Sequence, residues 1–180
     1  MPEIKILAIK KEQTLTLVMF FTLLAIATFA PYLKIQFLTG PIVNAVLIIS
    51  TVLLGVESAI FIGLLPSLYA LAVGLLPAVL APMIPFIMTA NAILIVVFNF
   101  LFSAASRSSV KIGTRYWLGI LSASFLKFLF LFLTSQIVVN LLIKKEIASK
   151  VAVMMSWPQL FTALAGGALA YLFLKGLKKI

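Results

Sequence analysis

Six apolar runs, at 14–33, 38–54, 57–74, 83–103, 117–142 and 152–174, fill most of this 180-residue chain and leave only short connections between them. A helix that crosses a bilayer needs about 20 mostly apolar residues, and each run is of that order. The chain is 64% hydrophobic and 10% charged, whereas soluble domains are roughly half apolar and a quarter charged. No water-facing surface can be built from such a composition. The pattern predicts an all-α integral membrane protein, a compact bundle of six transmembrane helices forming one membrane-embedded domain over residues 1–180. No length remains for a soluble catalytic domain.

The residue inventory removes whole classes of chemistry. With no Cys and no His, thiolate and imidazole metal sites, iron–sulfur clusters, His-ligated haem and Cys–His or Ser–His catalysis are all out of reach. Only Glu3, Glu12, Glu57 and Glu146 carry carboxylates, and two of them share the charged N-terminal segment, which argues against a carboxylate metal cage or a paired-carboxylate hydrolase. The expectation is a non-enzyme without cofactor or metal. A net charge of +10 raises nucleic acid as a partner. The basic residues, however, are scattered in short clusters between apolar runs, so anionic membrane lipids are the expected partner and nucleic acid is not. No small-residue cleavage site follows the first run in a polar setting, and it reads as a retained helix.

Gly55 and Val56 alone separate the second and third runs, which demands a tight helical hairpin beside Glu57. Between the third and fourth, Pro77, Pro82 and Pro85 break helix and predict an irregular segment over 75–82. Orientation follows from the basic residues, which are retained on the cytoplasmic side. With the N-terminus inside, Lys5, Lys10, Lys11, Arg107, Lys111, Arg115, Lys175, Lys178 and Lys179 are inside, and Lys34, Lys144, Lys145 and Lys150 are outside. The asymmetry predicts both termini in the cytoplasm, with Tyr116 and Trp117 as interfacial aromatics at the inner end of the fifth span.

Lys127 is the residue that asks most of its surroundings. It lies about halfway along the fifth span, where a charge costs several kcal/mol unless it is paired or hydrated. Either it contacts an anionic or carbonyl group of a ligand, or backbone carbonyls and amide side chains of neighbouring helices satisfy it. Asn44, Asn91 and Gln159 lie in the outer half of their spans, as does Gln136, one turn before Asn140. Such amides serve either as a pocket rim or as hydrogen-bonded glue between helices. Trp157 either stacks on a planar ring or belongs to the interfacial aromatic belt; Met88, Met154 and Met155 either line an adaptable pocket or pack. Small residues at helical spacing, Ala59 with Gly63, Ala163 with Gly167 and Gly166 with Ala170, predict close helix packing. Ala25, Ala27 and Ala30 on the first span could offer a smooth face to another subunit.

Punctuation along the chain runs Thr39-Gly-Pro-Ile-Val-Asn44, Leu54-Gly55, Gly63-Leu-Leu-Pro66, Ile84-Pro-Phe-Ile-Met-Thr-Ala-Asn91 and Ser156-Trp-Pro-Gln159. In this order it resembles the S components, the substrate-binding subunits of energy-coupling-factor (ECF) transporters, and within them a subgroup without an assigned vitamin. The resemblance covers nearly the whole chain. It implies a six-helix subunit of the bacterial cell membrane that binds a vitamin or related micronutrient near the outer face. Such a subunit docks onto a separate transmembrane scaffold driven by two ATPase subunits. The pocket of such proteins maps here onto Gln36, Thr39, Asn91, Lys127, Trp157 and Gln159. Their docking signal is an Ala-xxx-Ala pattern on the first helix, which this chain departs from: Phe29 stands four residues after Ala25 and Pro31 four after Ala27.

Nothing in these residues resembles a nucleotide-binding loop, so such a subunit depends on its partners for energy. A self-contained secondary transporter or channel is the alternative, although no internal repeat relates the two halves; a non-transport accessory subunit is another. A membrane-embedded enzyme would have to pair Lys127 with Ser122, Ser124 or Thr134.

Overall fold

Glycine and proline set the helix boundaries. In the computed structural model, which describes residues 2–76, 78–104, 111–142 and 151–180, six long helices follow one another: α1 (Pro2–Phe29), α2 (Gln36–Leu54), α3 (Val56–Ala72), α4 (Ile84–Ala104), α5 (Ile112–Leu142) and α6 (Trp157–Gly176). A short 3-10 turn, Ala30–Leu33, ends at Lys34, whose φ of 55° reverses the chain into α2. Gly55, at φ 86°, makes the whole connection between α2 and α3, as the two-residue spacing requires. Gly74, at φ 72°, closes α3, and the N–H groups of Leu75 and Leu76 turn back onto the Ala70 carbonyl. Where an irregular stretch was expected before α4, a second 3-10 turn spans Ala78–Met83. Pro85 and Pro158 each fall in the first turn of a helix, where a missing N–H costs nothing.

Helices packed this closely need small residues where they cross. A Cβ on Gly166 of α6 would lie 2.6 Å from Asn44 Cβ and 2.8 Å from the Pro41 carbonyl oxygen, and one on Gly40 of α2 would lie 2.7 Å from Thr162. Gly40 therefore meets Thr162, and Gly166 meets Asn44, so α2 and α6 run side by side in the same direction. A Cβ on Gly167 would lie 2.5 Å from Ile120 of α5. The small residues of the sixth run are spent on packing within the chain.

Tyr116 corrects one expectation. It is fully buried, its ring packs edge-on against Phe98, and its hydroxyl donates to the Gly167 carbonyl at 2.7 Å. It is a core residue tying α5 to α6, its ring turned into the bundle and not outward as a belt aromatic would be. Trp117 remains partly exposed beside Tyr171.

Polarity is arranged outside-in. Asn44, Asn91, Ser124, Lys127, Ser135 and Thr162 are buried, while Phe21, Phe61, Phe100, Leu133 and Leu172 point outward, each more than half exposed. Water would not tolerate so much exposed apolar surface. Five helical segments, Glu12–Leu33, Gln36–Leu54, Leu80–Ser103, Ile112–Val138 and Val151–Gly176, are long and apolar enough to cross a membrane. The sixth, α3, is apolar but has only 17 residues.

Candidate functional site

Lys127 stands at the middle of α5, 4% exposed. Its Nζ donates to Asn44 Oδ1 at 2.6 Å and to Asn91 Oδ1 at 2.8 Å, the lengths of charge-assisted bonds. Asn91 in turn donates from Nδ2 to the Gly63 carbonyl at 3.0 Å. One side chain from each of α2, α4 and α5, with a carbonyl of α3, thus meets at a single buried node. Among the described residues no carboxylate takes part: Glu12 and Glu57 are exposed on the surface.

The node is part of the wall of a cavity of about 680 Å³, within the range of small-molecule sites. Pro31, Lys34 and Ile35 come from the turn after α1, and Gln36, Thr39, Gly40, Val43 and Asn44 from α2. Pro66, Ser67 and Ala70 belong to α3, and Val73 to Leu76 with Leu80 follow it. Ile87, Asn91, Lys127, Met154, Met155 and Gln159 complete the wall. All of these come from one half of the bundle. Contacts between Tyr32 and Tyr69 and between Phe37 and Trp157 place the corresponding helix ends together there. Lys34, Ile35, Val73 and Gly74 are exposed and form the mouth, whereas Asn44, Asn91 and Lys127 are the buried floor.

Two glutamines hold the remaining wall in place. Gln36 Nε2 and Gln159 Nε2 both donate to the Met154 carbonyl, at 3.2 and 3.1 Å. Thr39 Oγ1 donates to the Ala30 carbonyl at 3.2 Å, tying α2 to the turn after α1. Below the segment that carries Met154, Leu80, Met83, Ala90, Leu131, Val138, Val151 and Met155 pack as a separate apolar cluster.

Gln36, Thr39, Asn44, Asn91, Lys127 and Gln159 are therefore brought together. Trp157 and Gln136 are not. Trp157 is 59% exposed and packs outside the cavity against Phe37, since residues two apart on a helix point about 200° apart and it is Gln159 that faces inward. Gln136 is exposed as well, nine residues from Lys127 and so about half a turn away from its face. The proposed face on α1 is also corrected: Ala27 and Ala30 are buried inside the bundle at 0% and 6% exposure, and only Ala25 is exposed. Met88 does not line the cavity, while Met154 and Met155 do. Side-chain placement of Asn140 lies outside the described residues.

Sequence reasoning missed Lys34, Pro66 and Ser67. Lys34 was read only as a basic residue of an outer loop, and Ser67 follows a helix-interior proline whose position in the wall no spacing rule announces. The three hydroxyls near Lys127 in the chain hold no hydrogen bond to it: Thr134 Oγ1 donates to the Phe130 carbonyl at 2.7 Å, and Ser124 Oγ is buried without a partner among the described residues.

No family model matches the chain, and neither a curated protein nor a solved structure does.

Proposed function

We propose that this chain is the membrane-embedded substrate-binding subunit of an ECF-type uptake transporter for a vitamin or related micronutrient, resident in a bacterial cell membrane and energised by a separate scaffold with two ATPase subunits. One observation carries the reading: a ligand-sized cavity open at one end of a hydrocarbon-solvated bundle and floored by a buried lysine that no carboxylate among the described residues neutralises. A lysine kept at that depth is costly and marks a functional site by default. Among the described residues the lining stops at the node and none comes from the opposite half, where Gly55, Tyr116 and Tyr171 lie, which supports a binding site over a through-going pore. The order of glycines and prolines that resembles the S components supports the choice of family.

Two measurements test the reading. Mass spectrometry of compounds released from the freshly purified protein is expected to find a specific small molecule. Reconstituted alone in liposomes, the chain is expected to bind that molecule without concentrating it. Concentrative uptake by this chain alone would instead make it a secondary transporter.

A further inference from the structure

We infer that the ligand of this cavity is an aliphatic monocarboxylate, its carboxylate seated between Lys127 and Asn44 at the floor and its hydrocarbon against the aliphatic wall. The inference rests on the binding-subunit reading and narrows it to a substrate class. Two independent observations carry it.

The first is the arrangement of donors at the floor. An ammonium has three N–H groups, and Lys127 spends two of them on Asn44 and Asn91. Asn91 is committed at both ends of its amide. Asn44 is committed only at Oδ1, and its Nδ2 makes no hydrogen bond to a described residue. The third ammonium N–H of Lys127 and the free amide N–H groups of Asn44 thus remain on two residues already bonded to each other, one group charged and one neutral, which suits the two oxygens of a carboxylate. The lysine's present partners are neutral, so a bound anion would supply the counter-charge that a buried ammonium requires. A phosphate, with a charge near −2, would bury more charge than one ammonium offsets. Among the described lining residues Lys34, at the mouth, is the second cation and neither Asp nor Glu occurs, so the charges described along the wall favour an anion.

The second is what the wall lacks. In a chain that is 12% aromatic, not one lining residue is Phe, Tyr or Trp. The aromatics gather elsewhere: Phe37, Trp157 and Phe161 on the outer surface at the cavity end, and Phe98, Phe102, Tyr116 and Tyr171 in the opposite half. Planar rings are ordinarily held by ring stacking, and this wall offers Ile35, Val43, Leu75, Leu76, Leu80 and Ile87 instead. Such a surface packs against a flexible or puckered hydrocarbon.

A matched set of three probes separates these features: 4-cyclohexylbutyrate, its neutral amide 4-cyclohexylbutyramide, and the planar acid 4-phenylbutyrate, each titrated calorimetrically into the purified protein in detergent and into Lys127→Met. The expected result is binding of the cyclohexyl acid, at least about tenfold weaker binding of the amide, no advantage for the phenyl acid, and loss of the acid–amide difference in Lys127→Met. The wild-type comparison stands even if the variant does not fold. Equal affinity for acid and amide, a roughly tenfold preference for the phenyl acid, an acid affinity indifferent to Lys127→Met, or failure of all three to bind would each overturn the assignment. A neutral or aromatic compound released from the purified protein would also overturn it, yet would leave the binding-subunit reading standing.

Discussion

Removing Lys127 and removing Asn91 take away different things from the same node. Lys127→Met eliminates a buried ammonium and leaves two neutral amide oxygens on a cavity wall. Asn91→Leu leaves both the ammonium and the Gly63 carbonyl short of a partner, and an unsatisfied buried group costs about 1–3 kcal/mol, more when it is charged. Asn91→Leu is therefore expected to lower the melting temperature in detergent more than Lys127→Met does. The double variant should fall short of the summed losses by about 0.5–3 kcal/mol, the range for residues in one network. Additive losses would mean that the node is not energetically coupled. The sequence showed that Lys127 needs company at mid-membrane depth and that Asn44 and Asn91 are amides in the same half. It did not show that these three meet, because depth along a helix is legible from position whereas rotation about the axis depends on the neighbours. Part of the rotation was nonetheless available: Trp157 and Gln159 cannot both face one cavity, Lys127 and Gln136 lie on opposite faces of α5, and Ala25 cannot share a face with Ala27 at about 100° per residue.

Among the elements, the parallel pair α2 and α6 does most to fix the shape of the cavity, since both contribute to its wall and both ends of the Gln36–Met154–Gln159 clasp sit at their first turns. Their closeness depends on Gly166, where a Cβ would meet Asn44 Cβ at 2.6 Å, Pro41 O at 2.8 Å and Ala45 N at 2.9 Å. Two of those contacts are backbone and cannot swing aside. Gly166→Ala is expected to push the helices apart and cost about 1–3 kcal/mol, as overpacking of a filled core does. Because Asn44 is among the displaced atoms, ligand affinity should fall with it. Gly176→Ala, with nothing within 4 Å of the added carbon, is the matched control and should leave both quantities unchanged. Equal melting temperatures for the two variants would show that the contact is not tight. Helix number, order and approximate ends were legible because apolar length and the Gly/Pro breaks set them. The 3-10 turn over Ala78–Met83 was not, since three prolines announce only that an α-helix stops, and its geometry comes from Leu80 and Met83 burying themselves against α4 and α5.

For the whole molecule the open quantity is how many times the chain crosses the bilayer, and α3 decides it. Its 17 residues rise about 25 Å, short of a hydrocarbon core of about 30 Å, while the other five helical segments meet the length requirement. Its packing argues for a crossing all the same. Gly63, near its middle, meets Leu47 and Ile95, which lie near the middles of α2 and α4, so α3 shares their depth and is centred with them. The turn from Val73 to Leu76 adds apolar length at one end, and a remaining mismatch of a few ångströms costs only fractions of a kcal/mol per ångström. If α3 crosses, five helices separate Leu33 from Leu177 and the two residues face opposite compartments; if it does not, four do and they face the same one. Both are apolar and exposed at helix ends, 46% and 48%, so Leu33→Cys and Leu177→Cys leave the basic residues that set orientation untouched. Lys111, Arg115, Lys175, Lys178 and Lys179 cluster at the Leu177 end, which the positive-inside rule assigns to the cytoplasm. In intact cells an impermeant maleimide is expected to label Leu33→Cys and to reach Leu177→Cys only after permeabilisation. The opposite pattern would invert the bundle and turn the cavity mouth inward. Equal labelling of the two positions would leave α3 uncrossed, and with it the bottom of the cavity, where Gly63 holds Asn91 and Asn91 holds Lys127, would have to be rebuilt.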